Sequence, residues 1–105
     1  MNKAVIWTDE ARSDAATIIR YILSEFGPDA ANKAINTLYD NIELLSFFPF
    51  RGLTQKKYPP YRILHSKHNS IIYAVREDYI EITRIWDNRR DEKKIMKTLD
   101  KFDKQ

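Results

Sequence analysis

The sequence predicts an α+β domain in the order β-α-α-β-β-β-α, with a helical hairpin packed on a mainly antiparallel small sheet and a C-terminal helix. Three observations carry this. Residues 11–26 and 31–45 each hold an apolar stripe at helical spacing, and Gly27-Pro28 separates them. Residues 61–86 hold three short runs of β-branched and aromatic residues, the composition of a pleated, half-buried surface. The chain has 105 residues, enough for one hydrophobic core, so a single domain over residues 1–105 is expected.

Taken in order, Lys3 to Trp7 (KAVIW) reads as a first strand. Thr8 can then cap a helix with its hydroxyl, and Asp9 and Glu10 suit the positive end of the helix dipole. Ala11, Ala15, Ile18, Ile19, Ile22 and Phe26 mark the buried face of that helix. Gly27 ends it, and Pro28 opens a second helix whose apolar face is Ala31, Ala34, Ile35, Leu38, Ile42 and Leu45. The short link makes the pair an antiparallel hairpin. Phe47, Phe48, Pro49 and Phe50 are expected to seal an edge of the core. Arg51 to Pro60 is the longest loop, and Pro59-Pro60 excludes regular pairing there.

Tyr61–His65, Asn69–Arg76 and Tyr79–Trp86 are the three remaining strands. Glu77-Asp78 allows only a tight connection, so the last two should form a hairpin. The final strand is apolar on both faces and fits an interior position. From Arg89 to Lys104 a third helix is expected, capped by Asp87 or Asn88, with Ile95, Leu99 and Phe102 as its apolar stripe and Met96 widening it. Leu99→Ala should destabilise the fold if that helix docks.

Composition narrows the chemistry. No apolar run is long enough for a membrane span and the N-terminus lacks a signal pattern, so a cytosolic protein is expected. No cysteine is present, which removes disulfides and thiolate ligands. His65 and His68, the only histidines, read as solvated turn residues without an acidic cluster beside them, so no metal or other cofactor is expected. Glycine-rich phosphate loops and serine-nucleophile motifs are absent. Charge is uneven: residues 1–53 hold five Lys/Arg against seven Asp/Glu, and residues 54–105 hold thirteen against eight. The basic half suits an anionic partner, nucleic acid or an acidic protein segment, although a lysine-rich solubilising surface has the same composition.

The candidate site is therefore cationic and aromatic. Lys56, Lys57, Arg62, Arg84, Arg89 and Arg90 are the expected target-binding residues, with Tyr58, Tyr61, Tyr73 and Tyr79 nearby. Metal-free RNA cleavage would need a base, an acid and cations for the phosphorane, roles these residue types can fill. The same set describes a surface that binds without catalysing. Arg84 falls in phase with Ile80, Ile82 and Trp86, so its stem should pack while its head reaches a partner or the sheet rim. Tyr73 alternates with core positions and is expected to contribute its ring more than its hydroxyl.

Several segments, in this order and spacing, resemble the ParE/RelE superfamily of bacterial toxins: IWTDEARSDAATIIRYI, PFRG, YRIL, SIIYAVRED and ITRIWDNRRD. The ParE branch is nearer. Its last strand commonly runs into a histidine followed by paired arginines, and here Trp86 stands in the histidine's place before Arg89 and Arg90. The resemblance implies the toxin of a type II toxin–antitoxin module, assembled with a co-transcribed antitoxin that wraps it with a helix and an extended segment. It implies a ParE-like inhibitor that binds a macromolecular target, DNA gyrase. The RelE branch implies instead a metal-independent, ribosome-dependent mRNA endoribonuclease. For that reading Arg62 and Arg89 stand in roughly matching places. Ser70 or Ile71, however, replaces the expected third-strand arginine, and Ile95 lies near the expected tyrosine. A third possibility is a basic interaction domain without toxicity.

Overall fold

The computed structural model describes residues 2–66 and 68–88. Within them the chain runs β1 (Ala4–Trp7), α1 (Asp9–Phe26), α2 (Pro28–Phe47), β2 (Leu53–Thr54), β3 (Tyr61–His65), β4 (Asn69–Val75) and β5 (Tyr79–Asp87). The expected α+β order is present, with one addition: a two-residue strand, β2, inside the long loop. It pairs Leu53 with Ile63 and Thr54 with Arg62, upstream of the prolines that bar pairing further on. The expected helix over 89–104, with its Leu99 stripe, lies outside the described residues.

Local chemistry explains the helical hairpin. Thr8 sits in extended backbone, and its Oγ accepts from the Ala11 amide at 3.0 Å while donating to the Thr83 carbonyl at 2.7 Å. One hydroxyl thus starts α1 and ties it to β5. At the other end Gly27 has φ 91°, a conformation that disfavours any side chain, and its amide reaches the Leu23 carbonyl at 3.1 Å. Pro28 then begins α2, where a missing N–H has no consequence.

The sheet order is β1-β5-β4-β3-β2, with β1 parallel to β5 and every other pair antiparallel. β5 is therefore interior, as its two apolar faces require. Both helices lie against one sheet face. There Ala11, Leu38, Ile42 and Leu45 pack with Ile71, Tyr73, Ile80, Ile82 and Ile85. A second cluster (Tyr58, Tyr61, Ile63, Ile72, Ala74 and Trp86) occupies the other face.

Two expectations about burial fail. Phe26 ends the predicted stripe but is exposed, with its ring edge-on to Tyr21 at a centroid distance of 6.4 Å. Periodicity tells which side of a helix a residue occupies, not how far the layer beneath it extends. Phe47, Phe48 and Phe50 do not seal the core either; all three are more than half exposed at the exit of α2.

A β-bulge decides the phase of β5. Ile82 pairs with Tyr73 and Arg84 with Ile72, so Thr83 is an extra residue with no partner across the ladder. Ile80 and Ile82 face the helices; after the bulge Ile85 does so too, while Arg84 starts from the face of Ile72 and Trp86. The expected phase of Arg84 with Ile80 and Ile82 is thereby corrected, and its phase with Trp86 stands.

Candidate functional site

β1 ends opposite Ile82, which leaves the outer edge of β5 open from Thr83 onward. The N-terminal half of α1 closes part of that edge. Thr8 takes the Thr83 carbonyl, and the Asp14 carboxylate accepts the Ile85 amide at 3.0 Å. Arg84 completes the arrangement. Its Nε meets Asp14 Oδ2 at 2.6 Å and its Nη2 meets Oδ1 at 2.9 Å, a bidentate fork. The guanidinium also lies 5.6 Å from the Trp86 ring. The Asp14 hydrogen bond holds Arg84 above its ordinary pKa, with burial opposing, so the group stays cationic. Asp14, Ile18, Tyr21, Arg84 and Trp86 line a shallow cleft along this edge.

A second constellation fixes the turn after α2. The Tyr73 hydroxyl, buried in β4, donates to the Pro49 carbonyl and accepts from the Gly52 amide, both at 2.8 Å. Burial pushes its pKa up, against the Gly52 amide and the charges of Arg62 and Arg51. Gly52 is where glycine is required by space. A Cβ there would lie 2.6 Å from the Tyr73 hydroxyl oxygen and 2.7 Å from its Cε1. Arg62, on the neighbouring strand, donates through Nη1 to the carbonyls of Phe50 (3.1 Å) and Gly52 (2.9 Å) and stacks over the Phe50 ring at 5.0 Å. The expectation that Tyr73 contributes mainly its ring is corrected, since its hydroxyl holds both sides of the Pro49–Gly52 turn.

The third feature joins the β3–β4 turn to the end of β5. Ser70 Oγ, buried, donates to Asn88 Oδ1 at 2.5 Å, and Asn88 Nδ2 donates to the Ser66 carbonyl at 2.7 Å. With its proton committed to Asn88, Ser70 accepts from His65 Nδ1 at 2.7 Å. His65 is exposed, as expected, but it ends β3 rather than lying in the turn.

Among the described residues, the candidate cations are not gathered into one cluster. Arg62 pairs with Tyr73 on the helix-facing side of the sheet, whereas Arg84 starts from the opposite face and turns to α1. Lys56 and Lys57 are exposed in the loop after β2, with Lys57 5.5 Å from the Tyr58 ring. Arg89 and Arg90 lie outside the described residues. The roles of Asp14, Gly52, Ser70 and Asn88 could not be read from the sequence, because each acts through a partner well separated in the chain. Among the described residues no group of three His, Asp or Glu side chains converges, and no helix is long and apolar enough to cross a membrane.

Solved toxin–antitoxin structures share this fold. A chromosomal ParDE system from P. aeruginosa matches with TM-score 0.69 at 24% identity, over 81% of this chain and 95% of that one. The RelBE2 complex of Mycobacterium tuberculosis matches at 0.62 and 16% identity, over 83% and 99%. The E. coli DinJ–YafQ complex matches at 0.58 and 11%, over 85% and 96%. No curated protein matches the chain. The family model for the ParE toxin of type II toxin–antitoxin systems (parDE) matches residues 5–92. The chain belongs to that family.

Proposed function

We propose that this toxin acts in the cytoplasm by binding and inhibiting DNA gyrase, and that a cognate antitoxin encoded beside it neutralises it in a hetero-oligomer. The observation that carries the binding reading is the use of the sheet's polar groups. Arg84 is forked to Asp14, Arg62 is held by two loop carbonyls, and both valences of the Tyr73 hydroxyl are occupied. A ribonuclease of the alternative branch would need a proton-transfer pair beside an available cation. These three groups instead hold the fold together. In this reading target contact falls to the exposed cations Lys56 and Lys57 and to Arg89 and Arg90, with Arg62 and Arg84 shaping the surface. The solved neighbours from P. aeruginosa, M. tuberculosis and E. coli are toxin–antitoxin assemblies, which supports an antitoxin partner here.

Two coupled measurements test this. Co-expression with the product of the adjacent short reading frame should give a complex that co-purifies. Purified gyrase should lose supercoiling activity when the free toxin is added and regain it when the partner follows. Two soluble, folded proteins that never associate would remove the antitoxin half of the proposal. Undiminished supercoiling would remove the gyrase half.

A further inference from the structure

The loop that leaves α2 exposes apolar surface where a small protein would be expected to hide it. Phe48 is 61% exposed, Phe50 65% and Leu53 64%, with Phe47 beside them. This is not a loosely held tip. Tyr73 pins Pro49 and Gly52, Arg62 pins Phe50 and Gly52, and backbone bonds Gln55 N to Tyr61 O and Tyr58 N to Gln55 O close the loop beyond. Rings held outward on a rigid base lose little freedom when something stacks on them.

The segment that carries these rings holds charge of one sign. From Leu44 to Arg76 the sequence carries six Lys/Arg and no Asp or Glu. Arg51 is exposed between Phe50 and Gly52, and Lys56 and Lys57 are exposed just after β2. Nucleic-acid footprints are rich in such cations, which neutralise phosphates. Exposed aromatics interleaved with cations are the arrangement that binds unpaired polynucleotides, where bases stack on rings and phosphates meet the charges.

We infer that the Phe48–Phe50 tip, with Arg51, Lys56 and Lys57, is a binding platform for single-stranded nucleic acid. Rings and cations read neither base edges nor the 2′-hydroxyl, so DNA and RNA strands bind alike and duplex binds less well. The platform shares Lys56 and Lys57 with the proposed target contact, but strand binding by the isolated chain is read without gyrase or antitoxin, so the two can fail independently.

Fluorescence anisotropy of the full chain with labelled oligothymidylate and oligouridylate of about 15 nucleotides tests the inference directly. Both strands should bind, with log K falling against log salt at a slope of about −2, the value for three neutralised phosphates. Phe48→Leu with Phe50→Leu keeps apolar surface but removes the rings; affinity should drop about tenfold or more. Arg51→Ala with Lys56→Ala should flatten the salt slope. No binding at low salt, or equal affinity for duplex, would overturn the inference. Full binding by the leucine pair would also overturn it and would assign the patch to a protein partner.

Discussion

Replacing Tyr73 by phenylalanine removes one oxygen from a ring with no solvent exposure. That oxygen accepts from the Gly52 amide and donates to the Pro49 carbonyl, both at 2.8 Å. In the variant the buried Gly52 N–H loses its acceptor. A stranded buried donor costs about 1–3 kcal/mol. The Pro49 carbonyl is only partly buried and can find solvent, so it adds little. With a urea slope of about 1–3 kcal/mol per molar, the midpoint should fall by roughly 1 M at unchanged slope. Exchange of the Gly52 amide should quicken in parallel, because that amide has lost its acceptor. An unchanged midpoint together with an unchanged Gly52 exchange rate would refute the clamp.

Three further outcomes follow from the same geometry. Gly52→Ala drives a methyl into the Tyr73 ring and should cost about 1–3 kcal/mol in a chemical melt, with no loss expected if the loop is free to shift. Asp14→Ala leaves Arg84 without its counter-ion and the Ile85 amide without an acceptor. It should cost about 2–4 kcal/mol, and Asp14→Asn, which keeps an acceptor, should cost less; equal losses would mean the fork has no energetic role. The raised pKa of Tyr73 gives the third. Below about pH 10 the tyrosine is protonated both folded and unfolded, so it adds no pH dependence. Above that the unfolded chain ionises first, and stability falls until the folded value is passed. Subtracting the Tyr73→Phe profile from wild type should isolate this alkaline loss, and superimposable profiles would contradict it.

What the sequence made legible follows from the range of each signal. Thr8, Gly27 and Pro28 act on their own neighbours, so the helical hairpin and its turn could be read directly. β-branched runs located β3, β4 and β5, and the two apolar faces of β5 gave its interior place. The bulge at Thr83 could not be seen, because a period of two carries no mark of an extra residue. That hid the phase of Arg84, and nothing near position 84 points to Asp14, 70 residues earlier. Tyr73 shows the same limit: alternation placed its ring in the core, while its hydroxyl partners lie in a turn that approaches only after folding. The exposed Phe48 and Phe50 show the converse. Composition suggests burial, and only the end of the sheet layer decides otherwise.

The most direct test of the central claim compares two activities of the purified toxin, wild type and Arg89→Ala with Arg90→Ala. One reads supercoiling by DNA gyrase and the other reads cleavage of ribosome-bound mRNA. Wild type should block supercoiling and leave the transcript intact, and the double variant should neither block supercoiling nor cut the transcript while keeping its fold and its antitoxin. Codon-positioned cuts in the mRNA with supercoiling untouched would contradict the claim and make the chain a ribonuclease.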